Sequence, residues 1–518
     1  MLLAEVAEVS RRVAETPGRL AKVRELADCL RRVTPDEVPL AIAFLSGETR
    51  QGRLGVGYAA LRQAAASRPQ AQPSLTLQDV DTAFAGIVAA RGKGAAALRA
   101  ERLAALFDSA MAEERDFLAR LVAGELRQGA LEGLMIEAVA AAAAIPVAEV
   151  RRATMLAGDI GEAAGAALAE GSAGLGRFAI RLMQPVLPML SQTAQDTDEA
   201  LQHLGTAALE WKLDGARVQV HKAGSDVRVY TRTLNDVTAR VPEIVEAMRA
   251  SPDGALILDG EAIAVKADGS PHPFQVTMRR FGRKLNVDAM RRELPLSVFF
   301  FDCLLRNDRA LVDRPSEERF RELRESVPAE LVIPQVVTAD RAEAARFFEE
   351  ALRRGHEGLM AKSLDAPYEA GRRGASWLKI KRANTLDLVV LAAEWGSGRR
   401  RGRLSNLHLG ARDPGGGFVM LGKTFKGLTD ELLEWQTKEF LRREVRRDDW
   451  TVYVKPELVV EVAFNEVQES SQYPGGVTLR FARLKRYRPD KRSADADTID
   501  AVRAILAAQG GESKPGND

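Results

Sequence analysis

Cysteine is scarce: among 518 residues there are two, Cys29 and Cys303. Two thiols so far apart build neither a four-cysteine zinc module nor a disulfide framework, which leaves a reduced, intracellular protein as the expectation. Histidine is nearly as rare, and His203, His221, His272, His356 and His408 contain no H-E-x-x-H pair, so the common zinc-hydrolase layout is excluded. No uncharged run approaches the ~20 apolar residues of a membrane span. Glu5 and Glu8 interrupt the stretch where a signal peptide needs unbroken apolar character. A soluble, cytoplasmic protein is expected. Excess charge is also lacking: 74 Lys+Arg stand against 72 Asp+Glu, a net of +2. On its face this argues against a nucleic-acid partner, but binding follows where charge sits and must be judged locally.

The length suggests about three domains at roughly 150 residues each. From Met1 to about Arg181 the chain is rich in Ala, Leu and Arg/Glu, with apolar residues three and four apart, the signature of amphipathic helices. Thr34-Pro35-Asp36-Glu37 predicts a helix start, with a hydroxyl cap, a proline in the first turn and a returning carboxylate. The prolines of Gln184-Pro185-Val186-Leu187-Pro188 force extended backbone and mark a boundary. Beyond it, Arg217-Val218-Gln219-Val220-His221 and Val227-Arg228-Val229-Tyr230 alternate as antiparallel strands do, and Val298 to Cys303 reads as a buried strand. Ala342 to Arg354, closed by Gly355, reads as a helix. After about Thr385, short strands and turns such as Gly415-Gly416-Gly417 suggest a small β-barrel of ~110 residues. The expected division is therefore an all-α domain over 1–184, an α+β domain with antiparallel sheets over 185–385, a β-barrel over 386–509 and a disordered polar tail over 510–518.

The strongest local signal is Lys212-Leu213-Asp214-Gly215-Ala216-Arg217, which reads K-x-D-G-x-R. Asp-Gly is also a common turn dipeptide, so a surface turn is the competing explanation of the match until chemistry is considered. A nucleophilic lysine must be held neutral against an ordinary pKa of ~10.4, which takes cationic neighbours or a metal. In Trp377-Leu378-Lys379-Ile380-Lys381 two lysines share one strand face. As cations they would depress the pKa of Lys212, and as donors they would hold phosphate; alone, they would fit a solvated strand face. Glu261, in Asp259-Gly260-Glu261, and Glu357, in Glu357-Gly358-Leu359-Met360-Ala361-Lys362, are hard oxygen donors suited to Mg²⁺, which is normally held by one or two carboxylates plus substrate phosphates.

Taken together these segments resemble, in order and spacing, the nucleotidyltransferase motifs of ATP-dependent DNA ligases. The resemblance runs from Pro185 to about Lys491. It includes Thr231-Arg232, Phe299-Phe300-Phe301-Asp302 and the closing R-x-D-K motif, Arg488-Pro489-Asp490-Lys491. It implies three domains of the archaeal and eukaryotic replicative type: a helical DNA-binding domain, an adenylation domain and an OB-fold barrel. It also implies that Lys212 attacks the α-phosphorus of ATP to form a phosphoramide-linked AMP, with Mg²⁺ or Mn²⁺ at Glu261 and Glu357. Glu210 would face the adenine amino group, Phe301 would stack on the purine, and Arg217 with Glu261 would position the ribose. Arg232, Arg373, Lys379 and Lys381 would surround the phosphates, Lys362 would touch the α-phosphate, and Asp490 and Lys491 would close over the triphosphate. The implied partner is nicked duplex DNA met in replication, repair or recombination, by a monomer in the cytoplasm or on the nucleoid.

Leu121 to Met135 resembles the L-R-x-G-L segment of the helical DNA-binding domain, with Ala130 inserted before Leu131. It suggests phosphate or minor-groove contacts from Arg127 and Gly129, although an ordinary helix junction fits as well. Gly398-Arg399-Arg400-Arg401-Gly402-Arg403 is a basic, glycine-rich loop, and Arg399, Arg400 and Arg401 are candidate DNA contacts. Arg480-Phe481-Ala482-Arg483 resembles the R-F-P-R stretch of these ligases, with alanine in place of proline. RNA ligases and capping guanylyltransferases share the lysine chemistry, but their lysine lies much nearer the chain start. NAD-dependent ligases carry a four-cysteine zinc module that two cysteines cannot supply. A non-catalytic nucleic-acid-binding module would explain the arginine loop but not Lys212, Glu261, Glu357 and Lys379 occurring together.

Overall fold

The computed structural model describes residues 1–508 apart from 67, 127–131, 283–286, 371–372 and 383; for 373, 374 and 508 only the backbone is described. Arg127, Gly129 and the 510–518 tail therefore lie outside the described residues.

Among the described residues up to 175 the regular elements are helices, from Leu3–Glu15 to Ile160–Leu175. Their packing follows the apolar spacing: Leu3, Val6, Val9 and Val13 are buried on one face of the first helix. The expected helix start at Thr34 is displaced. The helix is Val38–Ser46, with Pro39 in its first turn. Thr34 and Glu37 form the preceding turn, where Glu37 receives the Thr34 hydroxyl and the Met1 ammonium. The competing ion pair uses the carboxylate that a capping box requires.

Strands follow in chain order: β1 (Leu190–Ala194), β2 (Ala207–Lys212), β3 (Ala216–Ala223), β4 (Asp226–Thr231), β5 (Ala255–Ala264), β6 (Leu296–Arg306), β7 (Arg309–Ala310), β8 (Gln335–Thr338), β9 (Gly358–Ser363) and β10 (Arg373–Lys381). They form two five-stranded sheets, β1-β10-β9-β2-β8 and β4-β3-β5-β6-β7. All their pairings are antiparallel except β1 on β10. The helical part does not stand apart from these sheets. A single apolar core runs from Leu3 through Val186 and Met189 to Tyr368 and Trp377. The crossing segment is also pinned by polar contacts, since Leu187 N–H donates to Met155 O, Val186 N–H donates to Gln219, and Met183 N–H donates to His221 Nδ1. Burial pushes the His221 imidazole down to about 3, so it stays neutral and accepts this bond at physiological pH.

The C-terminal part comprises β11 (Asn384–Trp395), β12 (Leu404–Arg412), β13 (Phe418–Thr424), β14 (Glu444–Arg447), β15 (Thr451–Val454), β16 (Val459–Phe464), β17 (Glu466–Glu469), β18 (Val477–Arg480) and β19 (Arg483–Tyr487). The long β11 pairs with β12 along one edge and with β15 and then β16 along the other, so the sheet bends around the apolar cluster of Leu388, Leu407, Phe440 and Val462. The expected barrel is corrected in one respect. Among the described residues this seven-stranded sheet does not close on itself, and β17 and β18 form a separate ribbon.

One buried ion pair ties the helix Ser316–Ser326 to β6: Arg319 donates Nε and Nη2 to Asp302 at 2.7 and 3.0 Å, and both side chains are almost fully enclosed. Replacing one partner strands the other charge. Arg319→Leu is therefore expected to lower stability by about 3–5 kcal/mol, read as a lower denaturation midpoint by tryptophan fluorescence; a loss below about 1 kcal/mol, the range of exposed pairs, would contradict this account.

Candidate active site

Three neighbouring strands build the reactive corner. β2 pairs with β9 so that Lys212 lies opposite Gly358, and β10 pairs with β9 so that Lys381 also lies opposite Gly358. Glu357, immediately before Gly358, donates its N–H to Lys212 O at 3.0 Å. Its carboxylate is thereby delivered between two ammonium groups, with Lys212 Nζ 2.5 Å from Oε2 and Lys381 Nζ 2.5 Å from Oε1. Gly358 has φ of +141°, and a Cβ there would lie 2.1 Å from Ile380 O, so no other residue fits this crossing. Gly215 has a similar reason: a Cβ would lie 2.3 Å from Ala262 O, and its N–H donates to Glu261 Oε1 at 3.2 Å.

These groups line a cavity of 920 Å³ between the two sheets, with Glu210, Lys212, Asp214, Arg217, Arg232, Glu261, Phe301, Lys362, Trp377, Lys379 and Lys381 on its wall. Its far end is aromatic. Phe301 and Trp377 meet edge to face with centroids 6.0 Å apart. Behind them the buried Glu210 pairs with Lys362 at 2.6 Å and accepts from Gln335 Nε2 at 2.9 Å. Burial pushes the Glu210 carboxyl up, opposed by Lys362 and Gln335. Arg217 donates to both oxygens of Asp259 at 3.0 and 2.6 Å, to Met189 O at 2.6 Å and to the Tyr368 hydroxyl at 3.1 Å, and Tyr368 donates to Asp259 at 2.6 Å. The guanidinium carbon lies 5.4 Å from the Phe301 ring centroid.

Electrostatics set the state of the corner. Burial disfavours the Lys212 ammonium, but Glu357, with Glu261 and Asp214, outweighs it and holds Lys212 above its ordinary value. Burial likewise opposes the Glu357 carboxylate, and Lys212 and Lys381 prevail to hold it below its ordinary value. The expectation that cations depress Lys212 is therefore overturned for the free protein, because the nearest charge is a carboxylate. Glu261 is pushed up to about 7 by burial, against the pull of Lys212 and Arg217. Asp214 is pushed up to about 6 by burial and the neighbouring Glu357, with Glu466 adding to the repulsion.

The cavity brings together Glu210, Lys212, Arg217, Arg232, Glu261, Phe301, Lys362, Lys379 and Lys381 of the predicted residues. Arg373 begins β10, and its side chain is outside the described residues. Four of the expected residues have partners that the sequence does not reveal. Lys362 sits at the aromatic end, 4.7 Å and 4.4 Å from the Phe301 and Trp377 ring centroids and donating to Phe301 O, because Glu210 draws it there; it is not beside Lys212. Arg217 commits its donors to Asp259, Tyr368 and Met189, so its ring-facing surface rather than its N–H groups fronts the cavity. Asp490 and Lys491 are not on the cavity wall: Asp490 pairs with Arg488 at 2.6 Å and Lys491 with Asp387 at 2.5 Å. The C-terminal part approaches the cavity through the β17–β18 ribbon, where Arg480 stands 5.0 Å from the ring centroid of Phe274, a residue of the cavity wall. In the basic loop, Arg399 is exposed and 3.9 Å from Asp430, Arg400 donates to Phe425 O, and Arg401 is exposed.

Asp214, Asp259, Trp377 and Tyr368 were not among the expected site residues. The two aspartates lie inside the recognised motifs, and Trp377 shares the period-two spacing of Lys379 and Lys381. Tyr368 carries no local signal.

Family comparisons agree with this geometry. Residues 188–381 match the ATP dependent DNA ligase domain, 400–491 the ATP dependent DNA ligase C terminal region and 60–140 the DNA ligase N terminus. A probable DNA ligase of Anaeromyxobacter sp. strain Fw109-5 is 62% identical over 98% of this chain and 99% of its own length. One of Mycobacterium marinum is 54% identical over 98% of this chain and 100% of its own. The solved structure Pmar-Lig_Pre shares the fold, with a TM-score of 0.64 at 18% identity over 93% of this chain and 99% of that one. The chain belongs to the ATP-dependent DNA ligases of the nucleotidyltransferase superfamily, enzymes that form phosphodiester bonds at the expense of ATP.

A raised carboxyl pKa carries a stability signature. Folding raises Glu261 from the unfolded range near 4.5 to about 7, so the folded state binds more protons between those values and loses stability as pH rises through them. Glu261→Gln removes that penalty. Its melting temperature relative to the parent protein is expected to rise from pH 5 to pH 8; an offset independent of pH would contradict the assignment.

Proposed function

We propose that this ligase seals nicks bearing a 5′-phosphate and a 3′-hydroxyl in duplex DNA through a lysyl-AMP intermediate at Lys212. The observation that carries the reading is the placement of Lys212, at the end of β2, in a cavity whose wall carries Phe301 and Trp377 as well as Arg232, Lys379 and Lys381. ATP enters with its base between Phe301 and the β2–β9 floor. Glu210 accepts from the adenine amino group, and Lys362 fixes the Glu210 carboxylate. Lys379, Lys381, Arg232 and Arg373 surround the phosphates, where preorganised positive charge stabilises the charge that develops. Arg217 and Glu261 border the ribose.

Lys212 Nζ must then lose a proton. While Glu357 is bound to it, the ammonium persists; once Glu357 is drawn away, burial favours the neutral amine. Asp214, with its raised pKa, is suited to hold the proton. The amine attacks the α-phosphorus, a P–N bond forms and the bond to pyrophosphate breaks. An oxygen of the DNA 5′-phosphate next attacks the adenylyl phosphorus and Lys212 is released. The 3′-hydroxyl finally displaces AMP from the adenylated end.

Glu261 and Glu357 are the proposed ligands of Mg²⁺ or Mn²⁺. Among the described residues no three acidic or histidine side chains form a ready metal cage, which suits a cation held by one or two carboxylates plus phosphates. The crowding of Asp214, Glu261 and Glu357 is a charge deficit that such an ion relieves. The ion supplies charge neutralisation on the phosphates.

The same reading assigns the helical DNA-binding domain to 1–184, the adenylation domain to 185–385 and an OB-fold to 386–509, supported by the bent sheet around β11. Asp490 and Lys491 reach the triphosphate when the C-terminal domain turns, and the β17–β18 ribbon faces the cavity in the other orientation. Arg127, Gly129, Arg399, Arg400 and Arg401 contact the duplex backbone, whose recognition is independent of sequence. The enzyme acts as a monomer in the cytoplasm, nucleoid-associated if the cell is prokaryotic.

Incubation with Mg²⁺ and α-labelled ATP is expected to leave label on the protein through a denaturing gel, and Lys212→Ala to reduce it to background. Equal labelling of the variant, or no label from ATP, would overturn the proposal.

A further inference from the structure

The R-x-D-K turn is held by a side chain that belongs to none of the recognised motifs. Asp387, near the start of β11, accepts from Lys491 Nζ at 2.5 Å and from Arg488 Nη1 at 3.2 Å to each oxygen. Its own backbone is locked to the far side of the turn: Asp387 N–H donates to Asp497 Oδ2, and Asp497 N–H donates to Asp387 O, both at 2.8 Å. The turn closes further through Lys491 N–H to Arg488 O at 3.1 Å and through Arg488 to Asp490 at 2.6 Å. Asp387 is largely enclosed, with 13% of its side chain exposed, whereas Lys491 is 32% exposed and Asp490 59%. The carboxylate therefore forms the floor of the turn and the two motif side chains its open face. Arg488 has further acidic neighbours in Asp490 and Glu461.

We propose that Asp387 is a positioning residue for the first chemical step, holding Lys491 so that its ammonium meets the departing pyrophosphate when the C-terminal domain closes. This rests on the reading above that Lys491 serves that step. An ammonium has three donors, and one spent on Asp387 leaves two for phosphate oxygens. A lysine tethered this way is already ordered at closure, whereas an untethered one must be found among many rotamers. β11 follows β10 directly in the chain, so Asp387 also joins the turn to the segment that leads from Lys381. Joining of an already adenylated nick has no pyrophosphate to expel and makes no demand on this tether.

The test measures two half-reactions on the full-length protein. One is the single-turnover rate of label transfer from α-labelled ATP to the enzyme. The other is the single-turnover joining of a nicked duplex supplied with a 5′-adenylate. Asp387→Asn is expected to slow the first by about 10- to 100-fold, the range for misplacing a catalytic group, and to leave the second within about twofold; Asp387→Glu, which keeps the charge, is expected to recover most of the first rate. Lys491→Ala should slow the first at least as much. A normal first rate in Asp387→Asn with a slow one in Lys491→Ala overturns the inference alone. Normal first rates in both variants overturn the reading of the turn and the inference with it. Equal loss in both half-reactions by Asp387→Asn, or no recovery by Asp387→Glu, shows a merely structural aspartate and also overturns it.

Discussion

The Glu357 carboxylate stands between the ammonium groups of Lys212 and Lys381, and the register of three strands puts it there. Everything else in the cavity is arranged around that contact. Gly358 has to be glycine because β10 crosses close over it, and this crossing brings both lysines to the same point. Asp214 and Glu261 are pushed up because burial and neighbouring carboxylates leave too little positive charge to share. In the free protein Glu357 thus holds the Lys212 ammonium above its ordinary value. In the proposed reaction, departure of Glu357, rather than a standing excess of cations, is the event that frees the Lys212 amine.

Net charge becomes intelligible in the same terms. A chain with a total of +2 gathers Lys212, Lys379, Lys381 and Arg232 around one cavity, while buried cations such as Arg319 and Lys362 are each matched by a carboxylate at 2.6–2.7 Å. Local charge, not the sum, decides affinity for phosphate. The aromatic end shows the converse economy. Glu210 and Lys362 are both buried, and each satisfies the other while Gln335 and Phe301 O take the remaining bonds. Such a pair fixes a unique arrangement at the base of the recess, and the core shared with the helical part fixes the sheets that carry it.

Much of this was legible in the sequence. Helical periodicity, the prolines near residue 185 and the alternating strands gave the order of elements, and the motif spacing brought nine predicted residues to one cavity. What was not legible depends on contacts between distant segments. The helix expected at Thr34 begins at Val38 because Glu37 answers the Met1 ammonium, a partner no local pattern reveals. Lys362 was placed by its motif near the α-phosphate, yet Glu210 on the neighbouring strand holds it at the opposite end. Arg217 looked free for the ribose, but Asp259 and Tyr368 engage it from other elements. The sign of the pKa shift at Lys212 is hidden in the sequence for the same reason: strand spacing locates the two cations but not the carboxylate between them.

The central claim is that Glu357 keeps Lys212 protonated in the free enzyme. The direct measurement is the microscopic pKa of the Lys212 amine, read by NMR titration of the labelled lysine in nucleotide-free protein, with Glu357→Gln beside it. The account predicts a value above the ordinary ~10.4 in the parent protein and a clear fall in the variant. A value of about 7–8, the range of lysines tuned for base catalysis, in the free parent protein, or no change on replacing Glu357, would contradict it.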